Sequence, residues 1–233
     1  MKIAFSWDDG ALEDQRLFEL HEKYEIPGMF FVPTRNREGR AVLSPELIRK
    51  SESDYVAFGG HTENHTYLTN ISLKDAESEI RNNKYYLEDI LGHEVNDFCF
   101  PGGLYTKEIL KLACHHYQTV RTADTMNFKC DSFVLKPSIH FYPRGKKSII
   151  YNAIKHNSLE EIFYLITHFR KSYFSLVKGL IASDNDHQDK TFVVWGHSWE
   201  LQQCRLWTEL ESLMKYVSKL NCCKYKDLFD KSK

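Results

Sequence analysis

The stretch Ile3-Ala4-Phe5-Ser6-Trp7-Asp8-Asp9-Gly10 opens the chain with an apolar run that stops at two adjacent carboxylates. Gly10 lets the backbone turn sharply behind them. Because side chains alternate along a strand, Asp8 and Asp9 point in different directions, so that one can bind a metal while the other reaches a water beside it. Taken alone, such a turn is more often only solvated, and its significance depends on what the rest of the chain supplies.

Short apolar strands alternate with amphipathic helices along the rest of the chain. We predict strands at residues 29–32, 55–58, 98–100, 119–120, 133–135 and 192–195, and helices at 11–24, from 44 onward, 72–91, 106–116, 149–182 and 203–220. The stretch 149–182 is expected to break near Asn157-Ser158. This alternation is typical of an α/β protein with a parallel sheet and helices outside it, either open or closed into a barrel.

Four predicted strands end in residues capable of chemistry, which are Asp8-Asp9, His61, Pro101-Gly102-Gly103 and His197. Ligands bind parallel sheets at the carboxyl ends of the strands, which favours an active site over a solvated turn. His61 and His65 add to this, because imidazoles four residues apart share one face of a helical turn and can bind one metal. With an aspartate they form a two-histidine, one-carboxylate set that suits Zn²⁺, and Co²⁺, Ni²⁺ or Fe²⁺ would also fit.

Composition narrows the class of protein. The 233 residues suit one α/β domain spanning residues 1–233. The formal net charge is −1 with no block of Lys or Arg, which disfavours nucleic acid or an anionic membrane surface as a partner. No apolar stretch approaches the ~20 residues of a membrane span, and the first strand begins too close to Met1 for a signal peptide. We therefore expect a cytoplasmic protein whose six cysteines are reduced.

Four motifs together resemble the NodB-homology polysaccharide deacetylases (carbohydrate esterase family 4). Ser6-Trp7-Asp8-Asp9-Gly10 resembles their Thr-Phe-Asp-Asp-Gly motif, and His61-Thr62-Glu63-Asn64-His65 resembles their His-Ser/Thr-x-x-His motif. Gly28-Met29-Phe30-Phe31-Val32 is similar to their second strand, and Trp195-Gly196-His197-Ser198 to the final motif, where a strand ends in an acid histidine. The resemblance implies a distorted (β/α) barrel and a metal-dependent amide or ester hydrolase.

The resemblance also implies a role for each matching residue. Asp9, His61 and His65 would bind the metal. Asp8 would be the general base, and His197 would be the general acid. A backbone N–H of Gly102 or Gly103 would stabilise the oxyanion, since Pro101 has none to donate. Trp199 would either stack on a sugar ring or belong to the core.

One further stretch, Phe98-Cys99-Phe100-Pro101, stands where the family has its third motif and departs from the family pattern. The family carries an Arg two residues before the proline of this motif, and that Arg helps to hold the base. Here the position is Cys99. Either Arg121 or Arg144 supplies the missing cation, or Asp8 is oriented differently.

A clear fourth motif, which in the family supplies a carboxylate partner for the acid histidine, is also missing. The candidates are Asp124, Asp131 and Glu200, although each fits an ordinary loop or surface acid as well. His140 stands at a strand end, where it either lines the cleft or is structural. The other histidines, His21 among them, are expected at surface or helix positions.

The expected function is a hydrolase that removes an N-acetyl group, or else an O-acetyl or N-formyl group, from a carbohydrate. A second hypothesis keeps the fold and the metal but makes the substrate a cyclic or nucleobase-like amide. A third is a non-catalytic carbohydrate-binding protein, which the altered third motif permits and the retained base and acid disfavour. The stretch 149–182 is predicted either to cover the cleft or to make a subunit contact, with the oligomeric state left open.

Overall fold

The structure is a computed structural model that describes residues 1–130, 132–143, 145–156, 158–184, 187 and 189–229. Within these ranges it has eight strands: β1 (Lys2–Asp8), β2 (Gly28–Val32), β3 (Val56–Gly60), β4 (Asp97–Cys99), β5 (Thr119–Arg121), β6 (Val134–Leu135), β7 (Ile139–His140) and β8 (Thr191–His197). They form one parallel sheet in the order β6-β5-β4-β3-β2-β1-β8-β7. The first strand thus lies inside the sheet, between β2 and β8, and Asp8 pairs in register with His197 of β8.

The sheet is curled into a half-barrel, which confirms the predicted (β/α) barrel class. β5 and β8 are separated by four strands, yet the guanidinium carbon of Arg121 lies 4.9 Å from the centroid of the Trp195 ring. Trp195 also stacks on His140 of β7, with the ring centroids 4.1 Å apart. Over the described residues β6 and β7 do not pair, so the barrel is open between them.

Nine helices occur in the same described ranges: α1 (Asp14–Tyr24), α2 (Pro45–Ser51), α3 (Leu73–Leu91), α4 (Lys107–His116), α5 (Lys146–Lys155), α6 (Leu159–Thr167), α7 (Tyr173–Asp184), α8 (Ser198–Gln203) and α9 (Trp207–Val217). Two predicted starts carry serine caps. Ser44 Oγ accepts the N–H of Leu47 at 3.3 Å, and Ser72 Oγ accepts that of Asp75 at 3.2 Å. None of these helices has the length and apolar character needed to cross a membrane.

The predicted helix over 149–182 is divided into three helices by two breaks. The first break follows α5, where the sequence predicts it. The second follows α6, at Thr167, whose hydroxyl donates to the carbonyls of Phe163 and Tyr164 at 2.9 and 3.1 Å. The predicted helix over 203–220 is likewise shorter, because Arg205 has a left-handed φ of 55° and separates α8 from α9.

His21 lies on α1, which agrees with the expectation of a surface or helix position, and it is fully buried. Its Nδ1–H donates to the carbonyl of Ile26 at 2.6 Å, and its Nε2 accepts the indole N–H of Trp7 at 2.8 Å. Burial lowers the pKa of His21 to about 4, so the ring is neutral. A Cβ at Gly28 would lie 2.6 Å from this ring. Glycine at the start of β2 therefore lets α1 pack against the strand that carries Asp8.

Candidate active site

The carboxyl ends of β1, β3 and β8 meet around a cleft of about 360 Å³, a volume within the usual range for small-molecule sites of about 300–1,000 Å³. Its lining contains the residues to which the family resemblance assigns a role, together with Trp199: Asp8, Asp9, His61, His65, Gly102, Gly103, His197 and Trp199. A larger groove of about 740 Å³ lies at the amino ends of the strands. We take the cleft as the site, because parallel sheets carry their chemistry at the carboxyl ends.

Asp9, His61 and His65 form a buried cluster in the cleft. Their ligand atoms all lie within 4.8 Å of one another. Asp9 Oδ1 is 3.0 Å from Nε2 of His65 and 3.5 Å from Nε2 of His61. Asp9 and His65 reach these positions with left-handed φ angles of 78° and 53°. Such conformations cost on the order of 1–3 kcal/mol each and cluster at functional sites.

The cluster fits a divalent metal. His61 Nδ1–H donates to the carbonyl of Cys99 at 2.8 Å, which leaves the lone pair of its Nε2 toward Asp9. Asp9 Oδ1 is a buried oxygen with no hydrogen bond among the described residues, while Oδ2 accepts the indole N–H of Trp199 at 2.8 Å. Burial raises the pKa of Asp9, but His61 and His65, when they carry a proton toward it, outweigh burial and hold it far below its ordinary value, so Asp9 is ionised. A metal ion would take the place of those protons. An ionised oxygen facing two imidazole nitrogens is a suitable donor set for zinc.

The loop that carries the two histidines is irregular, which corrects the expectation of a helical turn. Residues 61–66 leave β3 without forming a helix. Two side chains of α3 hold this loop. Asn83 Oδ1 accepts the N–H of His61 at 2.7 Å, and Glu79 accepts both the backbone and the side-chain N–H of Asn64, each at 2.8 Å. The imidazoles therefore meet, with ring centroids 5.1 Å apart, because α3 fixes the loop.

Asp8 has the surroundings of a general base. Both of its carboxylate oxygens contact Nη2 of Arg121, which reaches across from β5 and is fully buried. Burial raises the pKa of Asp8, but Arg121, helped by two neighbouring histidines, outweighs burial and lowers it. Cys99 Sγ lies 2.9 Å from the same nitrogen of Arg121. Arg121 thus occupies the place of the cation that the family pattern puts at residue 99.

His197 is paired with a carboxylate three residues later. Its Nδ1–H donates to Oε2 of Glu200 at 2.7 Å, and Nε2 of His140 lies at the same distance from that oxygen. Burial lowers the pKa of His197, but Glu200, with Asp9 and Asp8, raises it above its ordinary value. Burial raises the pKa of Glu200, and the two histidines bring it down to about 2. Glu200 is therefore ionised, and it favours the protonated form of His197.

The remaining candidates from sequence do not join this site. Asp124 pairs with Lys155 at 2.9 Å and with His156 at 3.0 Å, at the end of α5. Asp131 and Arg144 lie outside the described residues. Among the candidates that the structure describes, Glu200 and Arg121 are the ones that meet His197 and Asp8.

Gly102 and Gly103 form a tight turn after β4. Their φ angles, 63° and 69°, are left-handed and favour glycine. The N–H of Gly103 donates to the carbonyl of Phe100 at 2.8 Å and is therefore committed to the turn. The N–H of Gly102 has no such bond within the described residues. Of the two glycines proposed as oxyanion donors, Gly102 is the one whose N–H remains available.

Three residues of the cleft have no motif that would reveal them in the sequence. Arg40 lies with its guanidinium carbon 4.0 Å from the centroid of the Trp199 ring, and Glu38 Oε1 lies 3.7 Å from Nδ1 of His65. Tyr67 is 39% exposed beside the glycine turn. All three lie in the loops that follow β2 and β3. In the sequence, the only indication of a role is that they come after the end of a strand. Trp199 both donates a hydrogen bond to Asp9 and lines the cleft with its ring.

A sequence model of the polysaccharide deacetylase family matches residues 1–120, which is more than half of the chain. The chain belongs to this family, which is a family of hydrolases, and its resemblance to the family is confirmed. No curated protein sequence matches the chain significantly.

Solved structures with the same fold include three deacetylases or esterases. A chitin deacetylase from the fungal pathogen Colletotrichum lindemuthianum has a TM-score of 0.64 at 16% identity over 99% of this chain and 88% of that one. A family 4 carbohydrate esterase from Streptomyces lividans has a TM-score of 0.58 at 12% identity over 93% and 89%. A Streptococcus pyogenes deacetylase has a TM-score of 0.52 at 21% identity, over 58% of this chain and 62% of its own length.

Proposed function

We propose that the protein is a metal-dependent hydrolase that removes an N-acetyl group from a carbohydrate. The observation that carries this proposal is that one cleft holds two titratable groups, Asp8 and His197, whose partners favour opposite protonation states. Arg121 favours the ionised form of Asp8, and Glu200 favours the protonated form of His197. A base and an acid on either side of a scissile bond are what amide hydrolysis requires.

Asp9, His61 and His65 would hold the metal, and zinc is the ion we propose for this donor set. When bound, such an ion supplies Lewis acidity, which makes water nucleophilic near neutral pH and polarises a carbonyl group. Trp199 and the Cys99 carbonyl orient Asp9 and His61 for this task. Partners of this kind fix the direction of a metal ligand and raise its affinity.

Asp8 acts as the general base and takes a proton from the attacking water. Its low pKa keeps it ionised, and Arg121 holds the carboxylate in place. His197 acts as the general acid and gives its proton to the departing nitrogen. An amine leaves poorly unless it is protonated, so His197 matters more for an amide than for an ester. Gly102 donates its N–H to the developing oxyanion.

The carbohydrate class of the substrate is supported by the family and by the walls of the cleft. Tyr67 and Trp199 offer aromatic surface next to the reacting groups, and sugar rings pack well on such surfaces. Arg40 and Glu38 add charged groups at the same rim. The cleft thus combines apolar contact with hydrogen-bonding groups, as small-molecule sites do.

Acetate release from N-acetylglucosamine oligomers by the zinc-loaded protein tests the proposal. We expect release from the unmutated protein and a loss of about a hundredfold or more in Asp8→Asn, because positioned general bases contribute about 10²–10⁴-fold. Asp124→Asn is the matched control, and it should keep its activity. Metal content is measured in all three proteins, so that loss of the base is separated from loss of the metal.

Two outcomes would favour other functions, and a third would contradict the mechanism. Turnover of a cyclic amide without any acetate release from sugars would favour the second hypothesis. Sugar binding without turnover of N-acetyl, O-acetyl or N-formyl substrates would favour a binding protein. Equal acetate release by Asp8→Asn and the unmutated protein would remove Asp8 from the mechanism.

A further inference from the structure

The most exposed large apolar side chains among the described residues are collected on α5 and α6. Their exposed fractions are 72% for Phe163, 69% for Tyr151, 67% for Leu159, 62% for Ile154 and 59% for Ile166. Phe169, just beyond α6, is 45% exposed. We call these six side chains the hairpin surface. Concentrations of this kind on a folded protein mark sites of interaction.

The outer side of α6 forms a continuous apolar stripe. Leu159, Phe163 and Ile166 are spaced by four and three residues, so they lie on one face of the helix. Leu165 on the same helix is only 3% exposed and packs into the core. The inner face alone is therefore enough to dock α6 on the protein, and core packing does not account for the outer stripe.

The charges around the hairpin surface are basic. Lys147 lies at the start of α5, and Arg170 and Lys171 follow α6, all of them exposed. Between residues 145 and 172 the sequence has two acids, Glu160 and Glu161. Both pair with Lys190, at 2.6 and 2.8 Å. Exposed cations thus stand at the start of α5 and just after α6, and the two carboxylates of this segment share one lysine.

We propose that the hairpin surface docks on an anionic lipid bilayer. Aromatic and aliphatic side chains on one face of a short helix, with Lys and Arg at its edges, are typical of segments that lie in the membrane interface. Anionic headgroups attract such cations. A second copy of the chain is a poorer occupant, because a symmetric contact would bring basic edges against basic edges. The sequence gives little sign of this surface, since its cations are dispersed and become neighbours of the stripe only through folding.

The hairpin surface is separate from the catalytic groups but close to the cleft. Asn152 of α5 donates to the hydroxyl of Thr125, after β5, at 2.9 Å. Ile149 of α5 lines a small cavity together with Ala123 and Trp195, which also line the cleft. Docking would therefore bring the bilayer to α5 and α6, next to the cleft, without contacts to the catalytic residues.

Co-sedimentation of the full chain with lipid vesicles tests this inference. Vesicles of phosphatidylcholine mixed with phosphatidylglycerol are compared with vesicles of phosphatidylcholine alone. We expect binding to the mixed vesicles that weakens as salt is raised. The double variant Phe163→Ser/Ile166→Ser should lower the partition coefficient by about tenfold or more, because it removes two large apolar side chains from the interface.

Tyr85→Ser provides the matched control, because Tyr85 on α3 is 58% exposed but lies outside the hairpin surface. It should bind vesicles like the unmutated protein. Zinc content and unfolding temperature, unchanged in all variants, would show that the fold and the proposed metal site are intact, so this test is independent of the proposed function. No vesicle binding by the unmutated protein, or equal binding by the double variant, would overturn the inference. A dimer that the double variant dissociates, without vesicle binding, would assign the surface to self-association instead.

Discussion

Asp8 and His197 are register partners on neighbouring strands, yet their partners favour opposite charges. The guanidinium of Arg121 lies against Asp8, and the carboxylate of Glu200 lies against His197. A pair of titratable groups held in opposite states is how one site supplies both an acid and a base near neutral pH.

Glu200→Gln should move the pH profile of hydrolysis. Removing the carboxylate lowers the pKa of His197, so the protonated acid is lost at a lower pH and the basic limb of kcat/KM shifts to lower pH. The rate as a function of pH gives the result directly. Glu52→Gln is the matched control, because Glu52 pairs with His93 at 2.7 Å away from the cleft. An unchanged basic limb in Glu200→Gln would separate Glu200 from the acid.

Asp14 should make stability depend on pH. Burial raises its pKa well above the ordinary value, and Asp9 adds to this while Ser198 opposes it. The folded state therefore keeps a proton that the unfolded chain loses above a pH of about 4, so Asp14 lowers stability as pH rises beyond that value. Asp14→Asn carries no such proton. Its free energy of unfolding, relative to the unmutated protein, should increase with pH.

Urea unfolding of the metal-free proteins at several pH values measures this difference. Asp89→Asn, on the exposed side of α3, is the control and should follow the unmutated protein. A difference between Asp14→Asn and the unmutated protein that stays constant with pH would show that Asp14 ionises in the folded state as it does in the unfolded chain.

At the scale of elements, α3 fixes the loop that carries the two histidines. Asn83 is fully buried, accepts the N–H of His61 and donates to the carbonyl of Val32 at 3.1 Å. It therefore ties the end of β2 to the first residue after β3. The metal cluster depends on this helix, although none of its ligands belongs to it.

Asn83→Ala should lower zinc affinity by about tenfold or more and the free energy of unfolding by about 1–3 kcal/mol, because it leaves buried backbone groups unpaired. Competition with a chelating dye and urea unfolding measure the two effects. Asn82→Ala is the control, since Asn82 is exposed and bonds to the Glu63 side chain at 2.8 Å. Equal zinc affinity in the two variants would mean that the loop holds its shape without α3.

The elements and the ligand cluster were predictable because their signals are local. An apolar run ending in Asp8-Asp9 and a serine cap at Ser72 are local patterns, and the structure places both as expected. The prediction of a helical turn over residues 61–65 was wrong, because a spacing of four residues between two histidines fits a loop as well as a helix. The end of α6 at Thr167 was also missed, because apolar periodicity does not report it.

At the scale of the whole molecule, the curl of the sheet decides which residues meet. Arg121 on β5 reaches Asp8 on β1 across the half-barrel. Three strands, β4, β3 and β2, lie between β5 and β1 in the sheet. The sequence offered Arg121 and Arg144 as equals, because nothing local reports the curvature that brings β5 over β1. Glu200 was one of three acids for a different reason, because its distance from His197 depends on how the chain turns into α8 after β8. Only the structure shows that the chain enters α8 directly after His197 and brings Glu200 within 2.7 Å of that imidazole.

Metal content tests the central claim most directly. After stripping and reloading with zinc, the unmutated protein should hold about one ion per chain, and His65→Ala should hold almost none. His93→Ala, an exposed histidine that pairs with Glu52, should bind like the unmutated protein. Zinc should also raise the unfolding temperature only where it binds. Equal zinc binding by His65→Ala and the unmutated protein, or none in either, would contradict the assignment of Asp9, His61 and His65 as a metal site.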